Sequence, residues 1–430
     1  QERPQRKVEP FKPKRVLVVT KTTRFEDEAQ RTSKKPFSEL SEKEQEVIRN
    51  VLTRQGFNVS AIVDSHQSQL ESIAKIQQIF ERRGVEVELA TSGERFTSTY
   101  TDEKERSGGL GVQPMFDSND GLQQAMLSSG LGNDFDLCVS AGGDGTFLRA
   151  ALSITGRLPI LGINTDPQRS RGRLCAENAD GLENLLDRLE EGKFEWVKRQ
   201  RIQLTLRMMG TRAEKRGRTL RQLALNEVYI GEKDPCRAAV LKVSTDDKQT
   251  WEKHKCSGLL VSTGTGATAW MAEATTLTPQ DVMDVVAGID EVYGRVSQDI
   301  GDILQTTGFD AGAVAAAANK KLLESRLQHD DPRMQLLVRE PILSVGDISD
   351  GNCVWHGTSA KDAELLEYLV KDHHPSRRSV IKKMTVASVS NPVGMEAQLV
   401  LDGRVWVALE RGMEATLECN PEHALWSFRI

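Results

Sequence analysis

The sequence predicts an α/β protein whose first half is a parallel α/β unit and whose second half is β-rich. Three observations carry that reading. Short apolar runs in the first half, "RVLVVTK" (Arg15–Lys21), "VEVELA" (Val85–Ala90), "FDLCV" (Phe135–Val139) and "LPILGIN" (Leu158–Asn164), alternate with helix-like stretches. The third run opens into a glycine turn, Gly142-Gly143-Asp144-Gly145-Thr146, and then into a helix-like stretch. After about Phe194 the spacing changes to closely set short runs with few helices between them.

Each element follows from its residues. The continuous apolar runs read as buried strands of a Rossmann-like parallel sheet, with ligands expected at the strand carboxyl ends. Leu70, Ile73, Ile76 and Ile79 give residues 65–83 a helical period, and Leu182 to Leu189 fits a second helix. Residues 91–132 are polar and rich in glycine and serine, which predicts a long loop or insertion with one short helix. Beyond the change of pattern, "RIQLTLRM", "ALNEVYIG", "AAVLKVSTD" and "GLLVSTG" read as strands. The alanine-rich residues 273–330 read as a helical insertion. Strands resume at "MQLLVRE" and close around the Asp402-Gly403 hairpin signal. The expected organisation is a basic tail over 1–14, an α/β domain over 15–193 and a β-rich domain over 194–430. The final strand is open to a return into the first domain.

Composition excludes several classes. The chain has 430 residues, a net charge of −5, 38% apolar and 28% charged residues. This balance suits a globular protein of two domains and gives no reason to expect nucleic acid as a partner. No apolar run approaches the ~18 residues of a membrane helix. Six scattered cysteines without a CxxC pair argue for free thiols rather than a disulfide framework or zinc site. The stretch Gln1–Arg15 holds six basic and two acidic residues, and reads as a solvated tail or the remnant behind a transit peptide.

The glycine turn poses a chemical question. A strand, glycines and a helix N-terminus together make a phosphate site, yet Asp144 sits inside it. One reading makes Asp144 an ordinary helix cap. The other points its carboxylate at an acceptor hydroxyl, while Gly142, Gly143, Gly145 and Thr146 face the phosphates and Mg²⁺ covers their charge. Two further motifs bear on the choice. "LNEVYIG" places the polar pair Asn226-Glu227 at a strand end, and "SGLLVSTGTGATAW" runs from a buried strand through small residues to Thr268, Ala269 and Trp270. Small residues let a flat base approach the backbone, and Trp270 offers a stacking face. The loop "NTDPQRSRGRLC" adds Arg169, Arg171 and Arg173 near Arg157, either a solvated cluster or a grip on ATP phosphates.

GGDGT, then NE, then TGTGATAW, in this order and spacing, resembles the NAD kinase family. "VTKTTRFEDEAQR", "GINTDPQRSRGRLC", "WVKRQRIQL" and "LLVREPI" are similar to its mitochondrial-type branch. The resemblance covers most of the chain apart from the loop over the 90s to 130s, the helical insertion and residues 345–384. It implies transfer of the ATP γ-phosphate to the 2′-hydroxyl of the adenosine ribose of NAD, with Mg²⁺ or another divalent cation. It further implies that Asp144 accepts the proton and, with Gly145, touches the dinucleotide, that Asn226 and Glu227 hold ribose and base groups, and that Arg237, Lys255, Ser257, Thr268, Ala269, Trp270 and Arg404 are further contacts. Many bacterial relatives have aspartate at Ser257, proline at Gly264 and tyrosine at Trp270, and of these departures the glycine and the tryptophan fit the mitochondrial-type branch. That branch also implies a homodimer and a mitochondrial location, with a cytoplasmic one as alternative. A lipid kinase of the diacylglycerol or sphingosine type shares GGDGT and is the runner-up enzyme. A catalytically idle nucleotide-binding protein is the alternative from another class.

Overall fold

The computed structural model describes residues 8–35, 37–92, 112–113, 135–154, 156–208, 217–245, 247–293, 310–341, 378–388 and 397–430. In chain order its first part comprises β1 (Arg15–Lys21), α1 (Arg24–Ser33), α2 (Glu42–Arg54), α3 (Val59–Arg82), β2 (Glu86–Ser92), β3 (Val112–Gln113), β4 (Leu137–Ala141), α4 (Asp144–Ser153), β5 (Ile160–Asn164), β6 (Glu177–Asn178), α5 (Leu182–Glu190) and β7 (Glu195–Arg199). The first sheet has the order β2-β1-β4-β5, followed by the chain's last strand, β20 (Leu425–Arg429), and then β7. Its first five strands run parallel, and β7 closes the edge antiparallel to β20. The centre of β1 is buried throughout, as a strand covered on both faces must be. Val16 and Val18 pack with Ile76, Ile79 and Phe80 of α3 on one face, while Leu17 and Val19 pack with Phe147, Ala150 and Ala151 of α4 on the other. From β1 the chain steps outward to β2 and then back across to β4. The strand order therefore reverses between β1 and β4, the position where open α/β sheets hold ligands, outside the strand carboxyl ends.

The second part comprises β8 (Ile202–Met208), β9 (Arg218–Thr219), β10 (Glu227–Glu232), β11 (Ala239–Ser244), β12 (Glu252–Cys256), β13 (Gly258–Ser262), α6 (Trp270–Glu273), α7 (Pro279–Tyr293), α8 (Ala311–Glu324), β14 (Met334–Arg339), β15 (Arg378–Ile381), β16 (Lys383–Ser388), β17 (Ala397–Leu401), β18 (Val405–Leu409) and β19 (Met413–Cys419). These strands make two sheets, β15-β14-β13-β10-β17-β18-β3 and β12-β11-β16-β19-β8-β9. Alternate residues of both, among them Val228, Ile230, Leu259 and Val261 from one and Leu204, Leu206, Leu241 and Leu417 from the other, fill a shared core.

The structure departs from the sequence reading in identifiable places. Residues 195–199, assigned there to the second domain, form the edge strand of the first sheet. The helix expected over 65–83 begins at Val59, behind the Asn58 cap, and α1 and α2 stand where no helix was anticipated. Both open on capping boxes, Thr23 with Glu26 and Ser41 with Glu44, a local signal that the apolar periodicity does not carry. Within the stretch read as a loop, Val112–Gln113 pairs with β18, and the short helix expected there lies outside the described residues. The end of the "tail" is not solvated, because the Phe11 ring packs 5.6 Å from Trp196 and 5.3 Å from Phe428.

Arg201 shows how the two parts are joined. Its side chain is fully buried and donates to the carbonyls of Ala151 (3.1 Å) and Ile154 (2.7 Å) at the C-terminal end of α4, and to His423 (2.8 Å). Burial brings its pKa down to about 10, so it remains a cation at neutral pH, placed favourably at a helix C-terminus. Arg201→Met leaves these three carbonyls without their donor. We expect a loss of at least about 3 kcal/mol, read as a lower urea midpoint with unchanged slope. A midpoint within error of wild type would contradict the assignment.

Candidate active site

The GGDGT turn follows β4 at this reversal of strand order. Gln69 of α3 donates to the Ala141 carbonyl (3.1 Å), and the Gly142 N–H reaches the Ile163 carbonyl (2.9 Å), so the turn leaves the sheet from a fixed point. Gly143 is the N-cap of α4 and supplies no side-chain cap, whereas α1, α2 and α3 begin with Thr23, Ser41 and Asn58 capping their amides. An uncapped helix start is available to an anion. Asp144 is the first helical residue and does not cap α4, which removes the capping reading left open by the sequence. Its carboxylate instead accepts the N–H groups of Leu174 (2.8 Å) and Arg173 (3.1 Å).

Those two amides belong to the loop after β5. Asn164 donates to the Ser170 carbonyl (2.9 Å), and Ser65 donates to Asp166 (2.8 Å). Two of the loop arginines are engaged by the protein. Arg169 pairs with Asp166 (3.2 Å) and Asp64 (3.7 Å), and the Arg173 guanidinium crosses to the Thr268 carbonyl (2.9 Å).

From the sandwich side, Asn226 immediately precedes β10 and Glu227 opens it, so the pair starts this strand rather than ending an apolar one. The Thr263 hydroxyl donates to the Leu225 carbonyl (2.6 Å) and accepts the Gly266 N–H (3.1 Å), while the Thr263 N–H reaches the Asn226 carbonyl (2.9 Å). A β-carbon at Gly266 would fall 2.0 Å from the Asn226 carbonyl oxygen, so only glycine permits this approach. Asp402 and Gly403 have φ of 48° and 64°, as a tight Asp-Gly hairpin requires, and the turn sends Arg404 to the GGDGT turn. A β-carbon at Gly145 would lie 3.4 Å from an Arg404 guanidinium nitrogen. Asp402 itself is buried and accepts the N–H groups of Leu225 (2.7 Å), Asn226 (2.8 Å) and Glu227 (3.0 Å). The sequence signalled Asp402 only as a turn residue, because its partners lie some 175 positions away.

Among the described residues, Asn226 Oδ1 and Glu227 Oε2 are buried without a hydrogen-bond partner. Orphaned polar atoms at a cleft mark places where a ligand completes the network. Burial, helped by the Asp402 charge, pushes the Glu227 carboxyl up to about 8, so at neutral pH it is a hydrogen-bond donor as well as an acceptor. Burial also raises Asp402, to about 6, against the pull of its amide donors and Arg201.

The remaining candidates form an outer group. Trp270 is 38% exposed, with its ring 5.3 Å from Tyr229 and the Arg339 guanidinium 5.1 Å from its centre. The Tyr229 hydroxyl donates to the Ser257 carbonyl (2.7 Å), and the Ser257 hydroxyl donates to Glu340. Lys255 is exposed on β12, and Arg237 pairs with Asp234 (3.4 Å) in the loop ahead of β11. The register of Ala239 against Cys256 sets Arg237, Lys255 and Ser257 at one end of the β11–β12 pair. Thr268 and Ala269 join the outer group to the inner one.

A family model, the ATP-NAD kinase N-terminal domain, matches residues 16–193. NAD kinase 2, mitochondrial, of Homo sapiens is 31% identical over 365 residues, spanning 77% of this chain and 72% of the human protein. The chain belongs to the NAD kinase family. The mitochondrial NAD kinase 2 of Xenopus tropicalis is 30% identical over 383 residues, covering 78% of each chain. Yeast NADH kinase, solved with NADH, superposes with a TM-score of 0.50 at 12% identity over 97% of this chain and 84% of the yeast chain, a likeness of fold.

The buried Glu227 carboxyl makes stability depend on pH. It titrates at 4.5 ordinarily and at about 8 in the fold, so between these values the native state holds a proton that the unfolded chain has lost. Stability from this group therefore falls as pH rises from about 4.5 to about 8. Glu227→Gln removes that dependence. Thermal melts are expected to place the variant above wild type at pH 8, with the gap closing toward pH 5. A gap that widens toward pH 5 would contradict a raised pKa.

Proposed function

We infer that this NAD kinase family member transfers the γ-phosphate of ATP to the 2′-hydroxyl of the adenosine ribose of NAD, giving NADP and ADP. The observation that carries the reading is an uncapped helix start bearing Asp144, with Arg404 beside its Gly145, and the buried, unpartnered Asn226 Oδ1 and Glu227 Oε2 on the segment that the Arg404 hairpin holds through Asp402. The α4 amides and the glycine backbone suit the nucleotide phosphates. Asp144, oriented by the Arg173 and Leu174 amides, keeps lone pairs for the acceptor hydroxyl and receives its proton as the O–P bond forms and the bond to ADP breaks. Phosphoryl transfer asks the protein mainly for in-line positioning and charge stabilisation, so an oriented carboxylate is well matched to it. Asn226 and Glu227 suit ribose and base groups, Arg404 approaches the same turn, and Thr268 to Trp270 with Ser257, Lys255 and Arg237 suit the far end of an extended dinucleotide.

Among the described residues, no group of three or more His, Cys, Asp or Glu side chains converges as a metal cage. The turn's carboxylate chemistry fits Mg²⁺ carried chiefly by nucleotide phosphates and water, and the ion would neutralise phosphate charge there. Family membership disfavours the lipid-kinase reading, and the mitochondrial relatives support a mitochondrial location. No helix among the described residues is long and apolar enough to cross a membrane.

A coupled assay for NADP from NAD, ATP and Mg²⁺ tests the activity. In it Asp144→Asn is expected to lose ~10²–10⁴-fold in kcat while retaining NAD binding. Wild-type turnover in that variant would remove Asp144 from the mechanism. A homodimer through the β-rich part is also proposed, supported by exposed Met283, Val285, Val314 and Leu323 on the insertion helices. Light scattering at micromolar concentration is expected to give about twice the 47.7 kDa chain mass. An active monomer would contradict it.

A further inference from the structure

We propose that Asp402 is the positioning residue of the acceptor site, holding Asn226 and Glu227 at the distance and orientation from which they bind NAD. This rests on the NAD kinase reading and deepens it. The argument is geometric. Both Asp402 carboxylate oxygens are spent on three consecutive backbone amides, Leu225, Asn226 and Glu227, and the Asp402 N–H returns to the Glu227 carbonyl at 3.0 Å. Three consecutive N–H groups turned toward one carboxylate do not belong to a regular ladder. β10 pairs with β17 only from Val228 onward, against Leu401. The carboxylate thus substitutes for pairing with β17 over the residues whose side chains carry the orphaned Oδ1 and Oε2 atoms, while β13 pairs Glu227 from the other side. Anionic acceptors make the stronger class of hydrogen bond, and here burial shields them from water.

The same residue also shapes the turn that presents Arg404. Asp402 adopts a left-handed φ of 48°, and the Arg404 N–H closes the turn on the Leu401 carbonyl at 2.9 Å. Fixing Asp402 against Leu225–Glu227 therefore fixes where Arg404 meets Gly145. Asn226, Glu227 and Arg404 approach the acceptor side of the cleft from two loops, and one carboxylate sets their spacing. Asp402 touches no substrate in this arrangement.

Asp402→Asn keeps the shape but replaces one acceptor oxygen with an N–H₂ group that opposes a backbone donor. The expected result is a ten- to hundredfold rise in KM for NAD, with KM for ATP within about twofold of wild type. Amide hydrogen exchange at Leu225–Glu227 is expected to speed up at least about tenfold, with the β1 and β4 amides unchanged. In a background carrying both Asn226→Ala and Glu227→Ala, Asp402→Asn is expected to raise KM by a smaller factor than it does in wild type, since it acts largely through those residues, with only the share carried by Arg404 remaining. Asp402→Glu, which keeps the charge but displaces it by a methylene, supplies the same measurements should the amide variant not fold. An unchanged KM for NAD in a folded variant, or full additivity in the double-alanine background, overturns the proposal while wild-type turnover leaves the enzyme reading standing. A wild type that makes no NADP overturns both.

Discussion

The buried guanidinium of Arg201 ties together both passages of the chain between the parallel sheet and the sandwich. The outward passage runs from β7 into β8 through Arg201 itself. The return passage runs from β19 to β20 through His423, whose carbonyl Arg201 holds at 2.8 Å. Its Nη1 closes the C-terminal end of α4 on the Ala151 and Ile154 carbonyls. The opposite end of that helix is Asp144. One buried cation therefore fixes the phosphate-turn helix against both crossings, and the insertion of β20 between β5 and β7 completes the junction. Only with that junction fixed can the Asp402 hairpin, carried on the sandwich, bring Arg404 to Gly145.

Charge is distributed across the cleft in a manner that suits two unlike ligands. The helix start at Asp144 offers backbone amides without a side-chain cap, a surface complementary to phosphate. Across from it, Glu227 and Asp402 lie close together out of water, and burial raises both. A carboxyl kept neutral near pH 7 does not repel a dinucleotide carrying its own phosphates, and it can both donate to and accept from hydroxyl and base groups. Arg173 spans the two sides with its main-chain N–H on Asp144 and its guanidinium on the Thr268 carbonyl. The Asp144 carboxylate is thus positioned by a residue that also braces the loop at Thr268.

Much of this was legible in the residues. The buried parallel strands announced themselves as continuous apolar runs, whereas of GGDGT only Gly142 and Gly143 separate strand from helix, and Asp144, Gly145 and Thr146 already form the first helical turn. The Asp-Gly hairpin and the close approach allowed by Gly266 are likewise written in local sequence. Long-range pairing was not legible. Asp402 looked like turn punctuation because its amide partners are remote in sequence, and Arg201 was one basic residue among several in "WVKRQRIQL". The loop arginines looked like a cationic patch, since sequence cannot show that Arg169 spends its charge on Asp166 and that Arg173 reaches Thr268. That β7 belongs to the first sheet is not visible locally, because the strand it pairs with comes at the end of the chain.

The account places NAD's adenosine ribose between Asp144 and the Asn226-Glu227 pair, with the rest of the dinucleotide extending toward Trp270. A crystal structure of the Asp144→Asn variant with NAD and a non-hydrolysable ATP analogue measures this directly. The ribose 2′-oxygen is expected within hydrogen-bond reach, roughly 3 Å, of the residue-144 side chain and in line with the γ-phosphate. A dinucleotide whose adenosine ribose lies against Trp270, with the 2′-oxygen remote from residue 144, would contradict it.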